Sequence, residues 1–562
     1  MSEVKIYALG GLDESGRNMY CVETEDGIIA IECGIKYPDT NQLGIEIIVP
    51  DFTYIVQNQN RFKGIIITHA HDDVMAALPY LLKQVNVPIY TTPLTAELIT
   101  NMVQKAGLRN VQIHRIPRNG EFTIGKTKVK SFGTTHSIAD SFGVAISTPE
   151  GYVVYSGEFI IDNDSRDPYY QCDISVLSEI GKQGVLCLMT ESGLAGRVGY
   201  TAPSHRITSL IEPTMSQAEG RIIISAYHQN LFRIKEIMQL AAKLNKRVFI
   251  YDDELKEMIR LNEKLGYYRI PIGVELPKSQ FNNNLEDIII LVTGSGHKVF
   301  RTMNRIAMKE DSLVELKPTD TIIIASPIVP GTEVEAGIME NELYKEDMNI
   351  LALNSHNVLS MHASSEDLKM FQYLMKPKYY LPIKGEYRHL MDNAHLGTEM
   401  GMTPDKILLL DNGQVAKFVN GVLKSCTAEF KSEDILIDGD ENLDVTGFVL
   451  KDREALSTDG VIVIGIVCDF ETKKIIGGPD VQSRGVFYLK DADYIVKNIA
   501  DLISDVINTN VKNGTYDNIA VRQEAREKIQ RYVLKETGKR PMILPAIIEI
   551  HATKEQLVND QN

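Results

Sequence analysis

Thr68-His69-Ala70-His71-Asp72-Asp73-Val74 closes an apolar run, Gly64–Thr68, that reads as a buried strand. In extended backbone, residues two apart point to the same side. His69 and His71 can therefore meet one metal ion, and imidazole is a common ligand for zinc. Taken alone, the pair reads more readily as two surface or core histidines. Two further segments strengthen the metal reading. His136 stands in Gly133-Thr134-Thr135-His136-Ser137, directly after the strand candidate Lys128–Phe132. Glu158 stands in Ser156-Gly157-Glu158, after Tyr152–Tyr155. Three strand ends thus deliver three imidazoles and a carboxylate, and three protein ligands plus water is the pattern of catalytic zinc.

Around this constellation the first 160 residues read as β-rich, with short apolar runs at Lys5–Leu9, Met19–Glu23 and Ile28–Ile31. Leu94–Ala106 has helical spacing, with Thr92 as N-cap and Pro93 at the first helical position. From about Thr201 helical patterns (Ser204–Met215, Leu231–Leu244) alternate with apolar runs (Arg221–Ser225, Arg247–Tyr251, Ile288–Thr293, Thr321–Ser326, with Asn349–Asn354 as a further strand). Such alternation implies a parallel α/β sheet. Ser365–Met375 reads as a helix and Lys378–Ile383 as a strand; Lys406–Leu410 and Gln414–Phe418 flank Asp411-Asn412-Gly413, a hairpin signal. Lys431–Asp444 is acidic and reads as a linker. Beyond it, Gly460–Phe470, Gly485–Leu489 and Met542–Ile550 read as strands and Ala492–Val511 and Ile519–Lys535 as helices. Gly477-Gly478-Pro479-Asp480 reads as a turn.

The chain has 562 residues, which at about 100–200 per domain suggests three or four domains. Apolar residues make up 44% and charged residues 24%, which excludes wholesale disorder. A formal net charge of −16 argues against a general polyanion-coating role, though a local basic channel can sit on an acidic body. The six cysteines form no C-x-x-C pair, and most read as reduced core residues. No membrane-length apolar stretch and no signal peptide is apparent, so the expected location is the cytoplasm.

Several long motifs, in order, resemble the ribonuclease J family, β-CASP nucleases of the metallo-β-lactamase superfamily. Leu9-Gly10-Gly11-Leu12-Asp13-Glu14-Ser15-Gly16-Arg17-Asn18-Met19-Tyr20 resembles the family's opening signature. Leu43-Gly44-Ile45 and Pro50-Asp51-Phe52-Thr53-Tyr54 fit its next loop. Ser360-Met361-His362-Ala363-Ser364 resembles its S-G-H-x-S element, and Lys376–Tyr379 through Gly385–Leu390 its return segment. The resemblance implies an αββα sandwich (residues 1–203 and 365–430) interrupted by a β-CASP α/β domain (204–364). A linker (431–446) and a small α+β domain for oligomerisation (447–562) follow.

The family binds two ions with seven side chains, and here its H-x-H-x-D-H becomes His69, His71, Asp73 and Val74. Its next histidine is His136. Its bridging aspartate falls on Glu158 and its last histidine on Lys384. The first ion's set is thus kept while the second is degraded, since Val74 has no lone pair and Lys384 is a cation that can pair with Asp73 or Glu158. The resemblance is closest to the second, ligand-degenerate ribonuclease J paralogue of Gram-positive bacteria. It implies one divalent metal, zinc or manganese, weakly held or absent.

It further implies weak phosphodiester hydrolysis (5′-to-3′ exonuclease or endonuclease) in RNA processing, rRNA maturation and mRNA decay, with Asp73 and His362 in catalytic roles. The implied partners are RNA, a second copy of the chain and an active ribonuclease J paralogue. The rival reading is a non-catalytic RNA-binding scaffold of that complex; a DNA-repair or small-ester hydrolase is disfavoured by the motifs. Candidate RNA contacts are Ser360, His362 and Ser364, which in the family line the 5′-monophosphate pocket, with His228, Asn230 and Ser295. Glu191-Ser192 matches the family's acidic position before the insertion, and Phe232 stands where a histidine is usual.

Overall fold

The protein is described by a computed structural model covering residues 2–39, 42–329, 331–346, 348–354, 356–439, 447–487 and 492–551. It divides into two compact units, one of residues up to Pro38 with Glu46–Ile437, the other of Asp39–Ile45 with the chain from Asp438 onward.

The first unit is built on strands that are apolar on both faces. Along Glu3–Gly10, Val4, Ile6 and Ala8 enter one core while Tyr7 and Leu9 enter another. Met19–Thr24 and Gly27–Ile31 divide their side chains the same way, the period of two that an extended chain imposes. These strands lie in an eight-stranded sheet ordered Val422–Ala428, Gln414–Val419, Glu3–Gly10, Met19–Thr24, Gly27–Ile31, Phe62–Ile66, Ile89–Thr91, Ile113–Arg115. A six-stranded sheet runs Tyr379–Ile383, Val185–Glu191, Gly151–Tyr155, Phe142–Thr148, Thr127–Gly133, Gly120–Ile124. Ile6, Tyr20, Val22 and Ile31 from the first sheet meet Val144, Val153, Tyr155 and Met189 from the second in one core. Helices cover both outer faces: Leu78, Leu81, Leu94 and Ile99 on the first, Leu177, Ile180, Leu368 and Phe371 on the second. The result is the expected αββα sandwich.

The expected parallel insertion is present. Its five strands are ordered Arg247–Ile250, Ile288–Gly294, Ile222–Tyr227, Thr321–Ile324, Asn349–Ala352, all parallel. One face packs Ile290 and Ile322 against Phe300, Met303 and Met339; the other packs Ile224 and Leu291 against Ile234, Ile237 and Ile259. Arg221 is buried at the sheet's start, where its guanidinium donates to Asp320 through Nε (2.8 Å) and Nη2 (2.6 Å). Removing either partner would strand the other's charge, a loss of about 3–5 kcal/mol. The first helix of this region begins at Thr208 rather than Ser204, because the Glu236 carboxylate accepts from the Ile207 and Thr208 N–H groups and sets the start there.

Local expectations fail in four places. Lys406–Leu410 is not a strand, and the tight turn is Asn420-Gly421, joining Gln414–Val419 to Val422–Ala428. Both turn residues have positive φ (48° and 70°), as a two-residue hairpin requires. Asn412 instead donates to Leu12 O and to Glu14, while its Oδ1 accepts from Leu12 N. The start of the expected linker is bonded into the first unit. Ile435–Ile437 pairs antiparallel with Ile47–Val49, because three apolar residues there satisfy an open edge, and Arg17 holds Asp434 at 2.9 Å. Residues 440–446 lie outside the described residues. Gly477-Gly478-Pro479-Asp480 lies inside the strand Ile475–Arg484, where Gly477 and Asp480 pair across a register shift with Val461–Asp469. That long strand replaces the one expected at Gly485–Leu489, whose last two residues lie outside the described residues.

In the second unit, Ile475–Arg484, Val461–Asp469 and Met542–Ile550 form a three-stranded sheet backed by Ala492–Lys512 and Asn518–Thr537. Ile495, Ile499, Ile503 and Val506 are buried in this unit's own core. These positions of the helical stripe thus pack against the unit's own strands. Exposed apolar side chains include Val463, Leu544 and Ile548 on the sheet, besides Tyr494 and Ile519 on the two long helices.

Candidate metal centre

His69 and His71 follow the strand Phe62–Ile66, and His71 begins the short helix Asp72–Met75 in extended conformation. Neighbouring backbone fastens that helix. Cys33 N donates to Val74 O (2.7 Å), Ile35 N to Asp72 O (3.1 Å), and Asn18 Nδ2 to Asp73 O (2.9 Å). Gly34 passes so close to the Asp73 carbonyl that no Cβ would fit.

The rings of His69, His71 and His136 have centroids 4.6–4.9 Å apart. One donor atom from each, with one from Glu158, all lie within 4.8 Å of one another. Glu158 Oε2 is 2.9 Å from His136 Nε2, and its Oε1 is 3.6 Å from His69 Nε2. Burial pushes the pKa values of His69 and His71 well below the ordinary histidine value. Burial, then the nearby His362, brings His136 down to about 3. All three imidazoles are thus neutral near pH 7, the state a metal ligand needs.

Two outer contacts fix which nitrogen faces inward. Thr68 Oγ1 donates to the Glu32 carboxylate and so accepts from His69 Nδ1 at 2.9 Å. His136 Nδ1 donates to Met361 O at 2.8 Å. Both Nε2 lone pairs are left for the centre, and His69 Nε2 is a buried nitrogen without a hydrogen-bond partner. An orphaned donor beside two imidazoles and a carboxylate fits one divalent ion. Thr68→Val should weaken ion binding by about 10–100-fold, since it frees the His69 ring to turn. Chelator competition on the folded variant checks this.

Lys384 occupies the side of the centre where the sequence loses its ligands. Its φ of 55° is unusual for a side-chain-bearing residue; Gly11 O accepts from its N–H, and its own carbonyl accepts from Ser192 N. The ammonium donates to Asp73 Oδ2 at 2.7 Å and contacts Glu158 Oε1. Burial resists the Asp73 charge, but Lys384 overrides it and holds that carboxyl at about 2. Asp73 is therefore an ion-pair partner of Lys384 and stands outside the four-donor cluster, contrary to its reading as a ligand. Val74 is fully buried.

His362 Nδ1 is 2.6 Å from Glu191 Oε2 and 3.5 Å from Glu158 Oε2, which brings it beside the centre. Burial works against its charge, but Glu191 outweighs that and raises its pKa. Ser360 is partly exposed nearby. Ser364, in contrast, is fully buried: it is the N-cap in a capping box with Asp367 and bonds Thr201 Oγ1 at 2.7 Å, so it offers no surface to RNA. Asn230 likewise caps Leu231–Lys243, accepting from Arg233 N. His228 is buried beside Asp252 and Glu254, and Ser295 lies partly exposed in the turn before His297–Ala307. Sequence reasoning missed Glu32, Thr68 and Ser137, whose Oγ is 3.2 Å from His71 Nε2.

Residues 48–184 match the model of the beta-lactamase superfamily domain, 219–343 that of the ribonuclease J beta-CASP domain, and 448–550 that of the ribonuclease J C-terminal domain. The chain is 31% identical over 550 residues to proteins named Ribonuclease J 2 of Staphylococcus epidermidis and Staphylococcus aureus, covering 98% of this chain and 98% of each of them. Among solved structures, a protein of unknown function from Enterococcus faecalis V583 is similar in fold, with a TM-score of 0.50 and 14% identity over 74% of this chain and all of that one. With its full-length relatives and the order of its three matched domains, the chain belongs to the ribonuclease J family.

Proposed function

We propose that the chain is a weak, metal-dependent ribonuclease that also supports an active ribonuclease J paralogue in RNA processing and decay. The observation that carries this reading is the asymmetry of the centre: three neutral imidazoles converge on Glu158, while Lys384 bridges Glu158 and Asp73. A single zinc or manganese ion at His69, His71, His136 and Glu158 would supply a bound water of lowered pKa. Lys384 places a fixed positive charge where the family's second ion would stabilise the leaving oxygen. Glu191 orients His362 toward the same space, and Ser360 and Ser295 remain partly exposed for RNA contact.

The same ion pair also favours the second reading, a non-catalytic RNA-binding subunit, because Lys384 draws Glu158 Oε1 away from an ion. Single-turnover cleavage of 5′-labelled RNA by metal-loaded protein, beside a chelated control, separates the two. A chelator-sensitive rate supports the enzyme. No rate above the control supports the scaffold.

Partner association is assigned to the second unit. Its sheet turns Val463, Leu544 and Ile548 to solvent, the kind of apolar surface an interface covers. A chain ending at Thr446 should sediment as a species of lower order and lose association with an active ribonuclease J. Full association by the truncated chain would move the interface to the first unit.

A further inference from the structure

A second set of metal-ligating groups lies outside the centre described above. His228, Asp252 and Glu254 each offer a donor atom, and these atoms lie within 4.8 Å of one another. Their placement follows from the inserted sheet. His228 directly follows the strand Ile222–Tyr227, and Asp252 follows Arg247–Ile250 by two residues. Ile288–Gly294 runs between these strands and ends at the same edge. All three strands are parallel, so the cluster sits at their carboxyl ends, the edge at which open α/β sheets bind ligands.

His228 Nδ1 is 4.0 Å from Asp252 Oδ2 and 3.9 Å from Glu254 Oε2. The residue is only 7% exposed, and this nitrogen has no hydrogen-bond partner. A buried imidazole nitrogen left unpaired against two carboxylates is costly unless something fills the gap. Asp252 is held in place, accepting from Glu254 N (3.3 Å) and Thr293 Oγ1 (3.4 Å). The Lys298 ammonium is the cation now nearest, 3.0 Å from Glu254 Oε2 and 3.6 Å from Asp252 Oδ1. It sits on a stem that is 47% exposed and leaves the imidazole nitrogen unsatisfied. An ion bound at about 2.0–2.2 Å to each donor would satisfy that nitrogen after a contraction of about half an ångström.

We propose that His228, Asp252 and Glu254 form a second divalent-cation site, of zinc type, at the carboxyl edge of the inserted sheet. Its donor set of one imidazole and two carboxylates suits zinc and leaves one position for water. Because Lys298 must swing away, the site binds more weakly than the three-histidine centre, and Lys298→Met tightens it. The site also gives His228 a role that its burial denies it as a direct RNA contact.

The test uses the full chain, stripped with chelator, crystallised and soaked in zinc, with anomalous scattering recorded at the zinc edge. The expected result is a peak between His228 and the two carboxylates, separate from the peak at His69, His71 and His136. That peak should disappear in Glu254→Gln, a half-exposed position that leaves folding intact, and in His228→Ala if that variant folds. In solution, Lys298→Met should lower the zinc concentration for half-occupancy of this site by tenfold or so. A peak at the three-histidine centre alone overturns the proposal. A second peak that persists in Glu254→Gln overturns it as well, since the donors would then be others.

Discussion

Val74→His, Lys384→His and Glu158→Asp, made together, should raise single-turnover RNA cleavage by roughly 10²-fold, about 2.7 kcal/mol of barrier. The reason lies in what each position now does. Val74 stands in the short helix that starts at His71 and has no donor atom. Lys384 fills the neighbouring space with its ammonium and pairs with Asp73, so Asp73 cannot serve an ion until the lysine is gone. Shortening Glu158 removes one methylene, so the carboxylate can bridge two ions. Single changes should gain little, because these residues touch one another and their effects are coupled. If two ions bind and the rate stays low, the RNA path has also diverged, with Met361 and the turn before His297 the first positions to test.

His69→Ala with His71→Ala should have the opposite effect. Ion affinity should fall by more than about 10²-fold, since even losses outside the ligand shell cost about 10–100-fold. Metal-dependent cleavage should drop to the level of the chelated wild type while circular dichroism stays unchanged. Turnover equal to wild type in this variant would mean that the cleavage arises elsewhere.

The four donors were legible because each ends or follows an apolar strand, and strand ends are where a sandwich fold collects polar side chains. The asymmetry of the centre was legible through the family resemblance, which puts Val74 and Lys384 at ligand positions their chemistry cannot fill. The resemblance put Lys384 at the last ligand position, where its charge suited pairing with Asp73 or Glu158, and it contacts both. The tautomer controls were not legible. Met361 acts through its carbonyl, which no side-chain pattern reveals, and Glu32 acts through Thr68 from a different strand. Two other errors had visible signals. Ser364-Ser365-Glu366-Asp367 carries the spacing of a capping box, which marks Ser364 as a helix start. Asn420-Gly421 is as strong a hairpin signal as Asp411-Asn412-Gly413, and only the pairing partners distinguish them. The apolar spacing of Ala492–Lys512 identified a helix, but periodicity does not say whether the stripe meets its own sheet or another subunit.

The central claim is that this centre holds one ion, with Lys384 in place of the second. Anomalous scattering from crystals of the full chain saturated with manganese tests it directly. The account predicts a single peak among His69, His71, His136 and Glu158, with the Lys384 ammonium still against Asp73. Two peaks about 3.5–4 Å apart, the spacing of a two-metal hydrolase, with Lys384 displaced, would contradict it.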